Sequence, residues 1–171
     1  SASPENAFML NGERTYLTYS STMDVEIILD VFDKTVAAAK LLGKENDGII
    51  KEINEAIPKL PKLKVSEKHG NLCEWIEDYE ETELGHRHVS HLYGLYPADV
   101  ITRKDMTIYN AARKAIDRRL ENGGAGTGWS RAWTISFFAR FRDGNSAYRH
   151  VSEFVKKCCE NNLFDMHPPF Q

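Results

Sequence analysis

No window of this chain approaches the roughly 18–20 consecutive apolar residues that cross a bilayer, so no membrane-spanning helix and no membrane partner is expected. There is no block of Lys and Arg interleaved with aromatics. With 22 basic against 25 acidic residues the net charge is −3 and the pI about 6.1, which disfavours a nucleic-acid partner. Cysteine is scarce: Cys73 and the adjacent Cys158 and Cys159 make an odd count without C-x-x-C spacing. That argues against a disulfide framework or a structural zinc site and for buried free thiols. Ser1 to Asn6 carries neither the basic n-region nor the apolar h-region of a signal peptide. The turn Gly123 to Gly128 lacks the Lys-Ser/Thr of a P-loop and follows no expected strand, so nucleotide binding is a weak reading. Low-complexity tracts are missing too. What remains, 42% hydrophobic and 27% charged over 171 residues, is the composition of one globular domain with a real core.

Helical periodicity dominates. Val25, Ile28, Leu29, Phe32, Val36, Ala39 and Leu42 recur at three and four. Ser21 or Thr22 can cap that helix, and Gly43 suits its C′ position. A second helix is expected from Asp47 to Ile57 with Ile49, Ile50, Ile53 and Ile57 on one face, ended by Pro58 and Pro61. Lys59 to Ser66 reads as an extended connector. Asn71 to Glu80 reads as a short helix with Leu72, Trp75 and Ile76 inward. Asp105 to Leu120 restores the helical period through Met106, Tyr109, Ala112, Ile116 and Leu120, and Asn122 to Gly126 breaks it. Thr127 to Phe141 has almost no polar face, as in a helix surrounded by others. After Asp143-Gly144-Asn145 a last helix is expected to Asn161 with Tyr148, Val151, Phe154, Val155 and Cys158 inward. No run of strands stands out, so the fold class is all-α, with an arrangement of inner and outer helices.

The chemistry concentrates in Gly85 to Pro97, which holds His86, Arg87, His88, His91, Tyr93 and Tyr96 directly after the acidic run Glu77 to Glu81. An H-x-H with a third His three residues on can supply zinc ligands, but Arg87 between two of them opposes a cation. The alternative is a neutral sugar held by imidazole and guanidinium donors. For any one of these histidines a structural, hydrogen-bonded role is an equal reading. Trp129 and Trp133 share a helix face. Core packing is the default for Trp133, whereas Trp129 stands evenly between core and a cavity mouth, where an indole suits the C–H face of a sugar. Glycoside hydrolysis normally needs two carboxylates across the scissile bond, and no pair stands out. The acidic run reads as a solvated face. Asp143 reads as a helix stop, too far along the axis from Trp129 to share a pocket with it.

Five segments together resemble the catalytic domain of glycoside hydrolase family 95, a family of α-L-fucosidases with some α-L-galactosidases. They are Ser3-Pro4-Glu5-Asn6; Tyr19 to Asp24; Glu77-Asp78-Tyr79 leading into His86 to Leu92; Thr127-Gly128-Trp129-Ser130-Arg131-Ala132-Trp133; and His167-Pro168-Pro169-Phe170-Gln171. The resemblance runs from end to end of the chain. It implies a partial (α/α)6 toroid of about half the barrel, with residues 1–171 as part of a single catalytic domain truncated at both ends. It further implies an inverting hydrolase of terminal α-L-fucosyl linkages in glycans, needing carboxylates and water but no cofactor and no metal. Arg87 and His88 take the place of sugar-contacting residues, with Thr127, Trp129 and His167 as further pocket lining. The resemblance places the general acid and two helper asparagines before Ser1. It places the base Asp in an Ile-Asp-Gly-Asn sequence after Gln171, so no catalytic residue is expected within the chain. The isolated chain would then be inactive, and the remaining half of the domain would be its partner. Two rivals are a non-catalytic carbohydrate-binding helical module and a helical metal-binding protein using His86, His88 and His91. A purely structural helical interaction domain would leave the adjoining acidic and histidine-rich segments without a reason.

Overall fold

A computed structural model describes residues 6–166. The described chain is mainly helical, with α1 at Thr22–Leu41, α2 at Gly48–Ala56, α3 at Met106–Glu121, α4 at Gly128–Arg140 and α5 at Gly144–Lys157. The exception to the all-α expectation is a small antiparallel sheet, ordered β2-β1-β3, of β1 (Phe8–Leu10), β2 (Glu13–Thr15) and β3 (Glu80–Glu81). Phe8 anchors it by stacking on Tyr79 with ring centroids 4.2 Å apart and by meeting Trp75 at 5.0 Å.

Local chemistry sets the helix ends. The Ser21 side chain accepts the Asp24 N–H at the start of α1, and Gly43, at φ +66°, turns the chain past its end. Asp105 opens α3 by accepting the N–H groups of Thr107 and Ile108 at 3.0 and 3.2 Å. Asp143 marks the end of α4 by starting α5: its carboxylate accepts the Ser146 N–H at 3.0 Å while Arg113 Nη1 pairs with it at 3.0 Å. Between α2 and the connector, Pro58 sits in a single 3-10 turn, Ile57–Lys59.

Residues 71–79 form no helix, contrary to the periodicity. Their backbone groups bond to distant partners instead. The Leu72 N–H donates to the Ala111 carbonyl at 3.0 Å and the Cys73 N–H to the Lys64 carbonyl at 2.9 Å. The carbonyls of Cys73 and Glu74 accept the Thr22 hydroxyl at 2.6 Å and the Thr22 N–H at 3.1 Å. Leu72 and Trp75 are nonetheless fully buried, because an irregular segment pinned at both sides buries side chains as well as a helix does.

The expected inward faces also need correction. Ile28, Leu42, Ile49 and Met106 are exposed, and on α5 so are Tyr148, Val151 and Val155, while His150 and Cys158 are buried. The reason lies in how α5 meets α4. His150 stacks on Phe138 at 5.1 Å and its Nδ1 lies 3.2 Å from Arg131 Nη1, which turns the polar ring inward and the apolar stripe outward. α4 is itself half-buried among the described residues: Ser130, Thr134, Phe137 and Phe138 face in, while Trp129, Ala132 and Ala139 face out.

The main core joins the histidine-rich segment to α3 and α4 through Val89, Leu92, Leu95, Ala112, Ile116 and Phe137, with Trp133 against it. A smaller cluster of Ala39, Ile50 and Ile53 locks α2 to α1. Glu26 of α1 is wholly buried against the histidine-rich segment, where it accepts the Gly94 N–H at 2.9 Å; burial raises its carboxyl pKa well above the usual range. A Cβ on residue 94 would stand 2.7 Å from Glu26 Oε1 and 2.8 Å from its Cδ. At Gly85 the squeeze is against backbone, with the Asn122 carbonyl oxygen 1.9 Å from where a Cβ would lie. Gly85→Ala is therefore expected to lower the unfolding free energy by about 2 kcal/mol through overpacking, read from the urea midpoint. A change under 0.5 kcal/mol would show that the 83–88 loop shifts freely.

Candidate functional site

The histidine-rich segment leaves Gly85, runs past Val89 into a 3-10 turn at Ser90–Leu92, and meets the first turns of α1 and α4. Where they meet lies a cleft of about 170 Å³ lined by Met23, Arg87, His88, Val89, Ser90, Trp129, Ser130 and Trp133. Arg87 and His88 reach it from the histidine-rich segment and Trp129 and Trp133 from α4, and its exposed lining is largely apolar. A flat apolar surface with donor-bearing residues beside it is a setting in which a sugar ring can be held.

The three histidines have different surroundings. His86 is buried and its Nδ1 accepts the backbone N–H of His88 at 3.1 Å, so its imidazole shapes the loop. His88, half-buried, is the one that lines the cleft. His91 lies behind the wall, with Nδ1 3.7 Å from Glu74 Oε2, and burial pushes its pKa down to about 4. The three do not form a ligand set: no group of three His, Cys, Asp or Glu side chains able to hold a metal ion occurs among the described residues. All three cysteines are free thiols, Cys73 and Cys158 buried and Cys159 half-buried, and burial pushes the Cys73 pKa up to about 12, far from a reactive thiolate.

Of the residues singled out from the sequence, the structure brings Arg87, His88 and Trp129 to the one cleft. Thr127 precedes α4, with Oγ1 2.9 Å from Ser130 Oγ, so it touches a lining residue rather than standing on the wall. His167 lies outside the described residues. Met23, Ser90 and Ser130 line the cleft unforeseen, and Trp133 is shared between core and cleft.

The acidic segment is less solvated than expected. Glu81 is half-buried; burial raises its pKa, against the pull of Arg119, whose Nη1 lies 3.1 Å from Glu81 Oε2. Asp78 accepts from the Ser66 hydroxyl at 3.0 Å and from the Glu67 N–H at 3.0 Å. Just upstream, Glu74 is almost completely buried and takes the other guanidinium nitrogen, Arg119 Nη2, at 2.8 Å.

His91 gives the cleft wall a dependence on pH. Its folded pKa lies below the unfolded value near 6.5, so the stability it contributes is complete above about pH 6.5 and is lost as the unfolded state takes up a proton on acidification towards pH 4. The loss is on the order of 3 kcal/mol. Unfolding free energies of wild type and His91→Gln measured from pH 7 to 4.5 should converge as pH falls. Parallel curves would mean that His91 titrates alike in both states.

Comparison with known proteins gives the family of the chain. The Glycosyl hydrolase family 95 catalytic domain matches the chain over residues 1–171. Alpha-L-fucosidase 2 of Arabidopsis thaliana is 40% identical over 184 residues, covering 100% of this chain and 21% of the relative. Two proteins named Probable alpha-fucosidase A are each 27% identical. That of Aspergillus oryzae matches over 140 residues, 77% of this chain and 19% of its own length, and that of Aspergillus niger over 166 residues, 90% and 20%. The chain thus spans about a fifth of the length of the curated relatives it matches.

Proposed function

The chain belongs to the Glycosyl hydrolase family 95 catalytic domain family, and on that premise we propose that its cleft is the sugar-binding wall of an inverting α-L-fucosidase acting on terminal α-L-fucosyl linkages of glycans. One observation carries the reading: Arg87, His88 and Trp129, from segments far apart in sequence, line one cleft. Arg87 and His88 donate hydrogen bonds to hydroxyls of the fucosyl ring, and the Trp129 indole covers its C–H face. Thr127 orders Ser130, and His167 is a further candidate contact to the sugar. In this proposal the domain is a portion of an (α/α)6 toroid, and the remaining portion covers the outward apolar stripes of α4 and α5.

The eight lining residues include no carboxylate. Inversion needs an acid and a base on opposite faces of the sugar, and both are proposed to come from residues outside 1–171. The same observation favours a second reading, a carbohydrate-binding module without chemistry. The full-length protein separates the two. Release of L-fucose from a 2′-fucosyl oligosaccharide supports the hydrolase, whereas L-fucose binding without release supports the module. A protein that does neither overturns both.

A further inference from the structure

Glu74 is 4% exposed and lies behind the cleft, where the sugar-binding reading makes no use of it. Its Oε2 accepts from Asn6 Nδ2 at 2.9 Å and from Arg119 Nη2 at 2.8 Å; its Oε1 accepts from the Ser90 hydroxyl at 3.4 Å. Its backbone carbonyl accepts the Thr22 N–H at 3.1 Å. Ser90 lines the cleft, and Thr22 immediately precedes Met23, which also lines it. One buried residue therefore reaches two walls of the same cleft, through its side chain on one side and its backbone on the other.

Charge balance alone does not require this arrangement, because Arg119 also pairs with Glu81 through its other terminal nitrogen at 3.1 Å. What the Glu74 carboxylate adds is direction. As an acceptor-only group in a low-dielectric setting it accepts hydrogen bonds from Asn6, Ser90 and Arg119, each from a different part of the chain. We propose that Glu74 is a positioning residue for the cleft, holding the Ser90–Leu92 turn, and with it the Arg87 to Ser90 wall, in the geometry that receives the sugar. The inference rests on the cleft being the fucose site.

Glutamine at position 74 keeps the shape but turns one of the two acceptors into a donor, so the set cannot be satisfied in the same geometry. In the full-length protein Glu74→Gln is expected to raise KM for a fucosyl oligosaccharide, and Kd for L-fucose, about tenfold, with kcat within twofold. Such a split is the mark of lost uniform binding. Asn6→Ala loosens the same carboxylate from the side away from the cleft and should raise KM about threefold; it serves as the test should Glu74→Gln fail to fold. Ile53→Ala, in the α1–α2 cluster, is the stability control and should leave KM unchanged. An unchanged KM in the folded position-74 and position-6 variants overturns the assignment of Glu74, as does an equal rise in Ile53→Ala. A wild type that neither binds L-fucose nor hydrolyses a fucoside overturns the reading of the cleft, and this inference with it.

Discussion

Arg87→Ala and His88→Ala are each expected to lower kcat/KM of the full-length protein on a fucosyl substrate by about 100-fold. A hydrogen bond from a charged or directional donor in a partly desolvated site is worth about 1.5–3 kcal/mol, and each 1.4 kcal/mol is a factor of ten. Both residues stand on the wall of one cleft with the indoles of Trp129 and Trp133 beside them, so water replaces a lost donor poorly. Arg87→Lys is expected to rescue little, because a point-charged ammonium does not reproduce a planar fork. The measurement is steady-state release of L-fucose. Variants within threefold of wild type would remove Arg87 and His88 from the substrate contacts and leave the cleft without a function.

The second large effect concerns stability. Arg119 is 3% exposed and contacts Glu74 at 2.8 Å, the Glu83 carbonyl at 2.9 Å and Glu81 at 3.1 Å. Arg119→Met keeps an unbranched apolar stem and strands the buried Glu74 carboxylate without its cation, while Glu81 retains Arg118 Nε at 3.7 Å. Removing one partner of such a pair costs about 3–5 kcal/mol, far more than replacing the whole pair with apolar groups. Urea unfolding of Arg119→Met should show that loss, and the double variant Glu74→Leu, Arg119→Met should recover much of it. A loss under 1 kcal/mol in the single variant would mean that water reaches the carboxylates and that the network is not a dry one.

Periodicity foretold where the long helices lie, and α1 and α3 carry their own caps at Ser21 and Asp105, although α1 buries Glu26 and Asp30 alongside Val25 and Ala39 rather than the whole expected stripe. It misjudged α5, whose stripe of Tyr148, Val151 and Val155 is as regular as any yet faces outward. A stripe records that a face is apolar and says nothing of which neighbour it meets. Residues 71–79 were misread for the opposite reason: their helical spacing is genuine, but their backbone partners, the carbonyls of Lys64 and Ala111 and the amide of Thr22, are invisible in a local window. At the cleft, Arg87, His88 and Trp129 stood out because their residue types are costly to place together without a use. Glu74 did not, since a glutamate beside an acidic run looks solvated until Asn6, Ser90 and Arg119 are seen around it. The separation of His86 and His91 from His88 likewise depends on burial, which adjacency in sequence cannot report.

The contact between α1 and Gly94 reaches beyond packing. With a carboxyl oxygen of Glu26 only 2.7 Å from where the first atom of any side chain at position 94 would go, residues 26 and 94 constrain one another. Neither can change freely unless the other changes too. A lineage that shortens residue 26 gains room to place a side chain at 94, three residues beyond His91 and on the same strand of chain that carries the cleft wall. The bulk tolerated beside that wall is thus set by a helix position that never touches it.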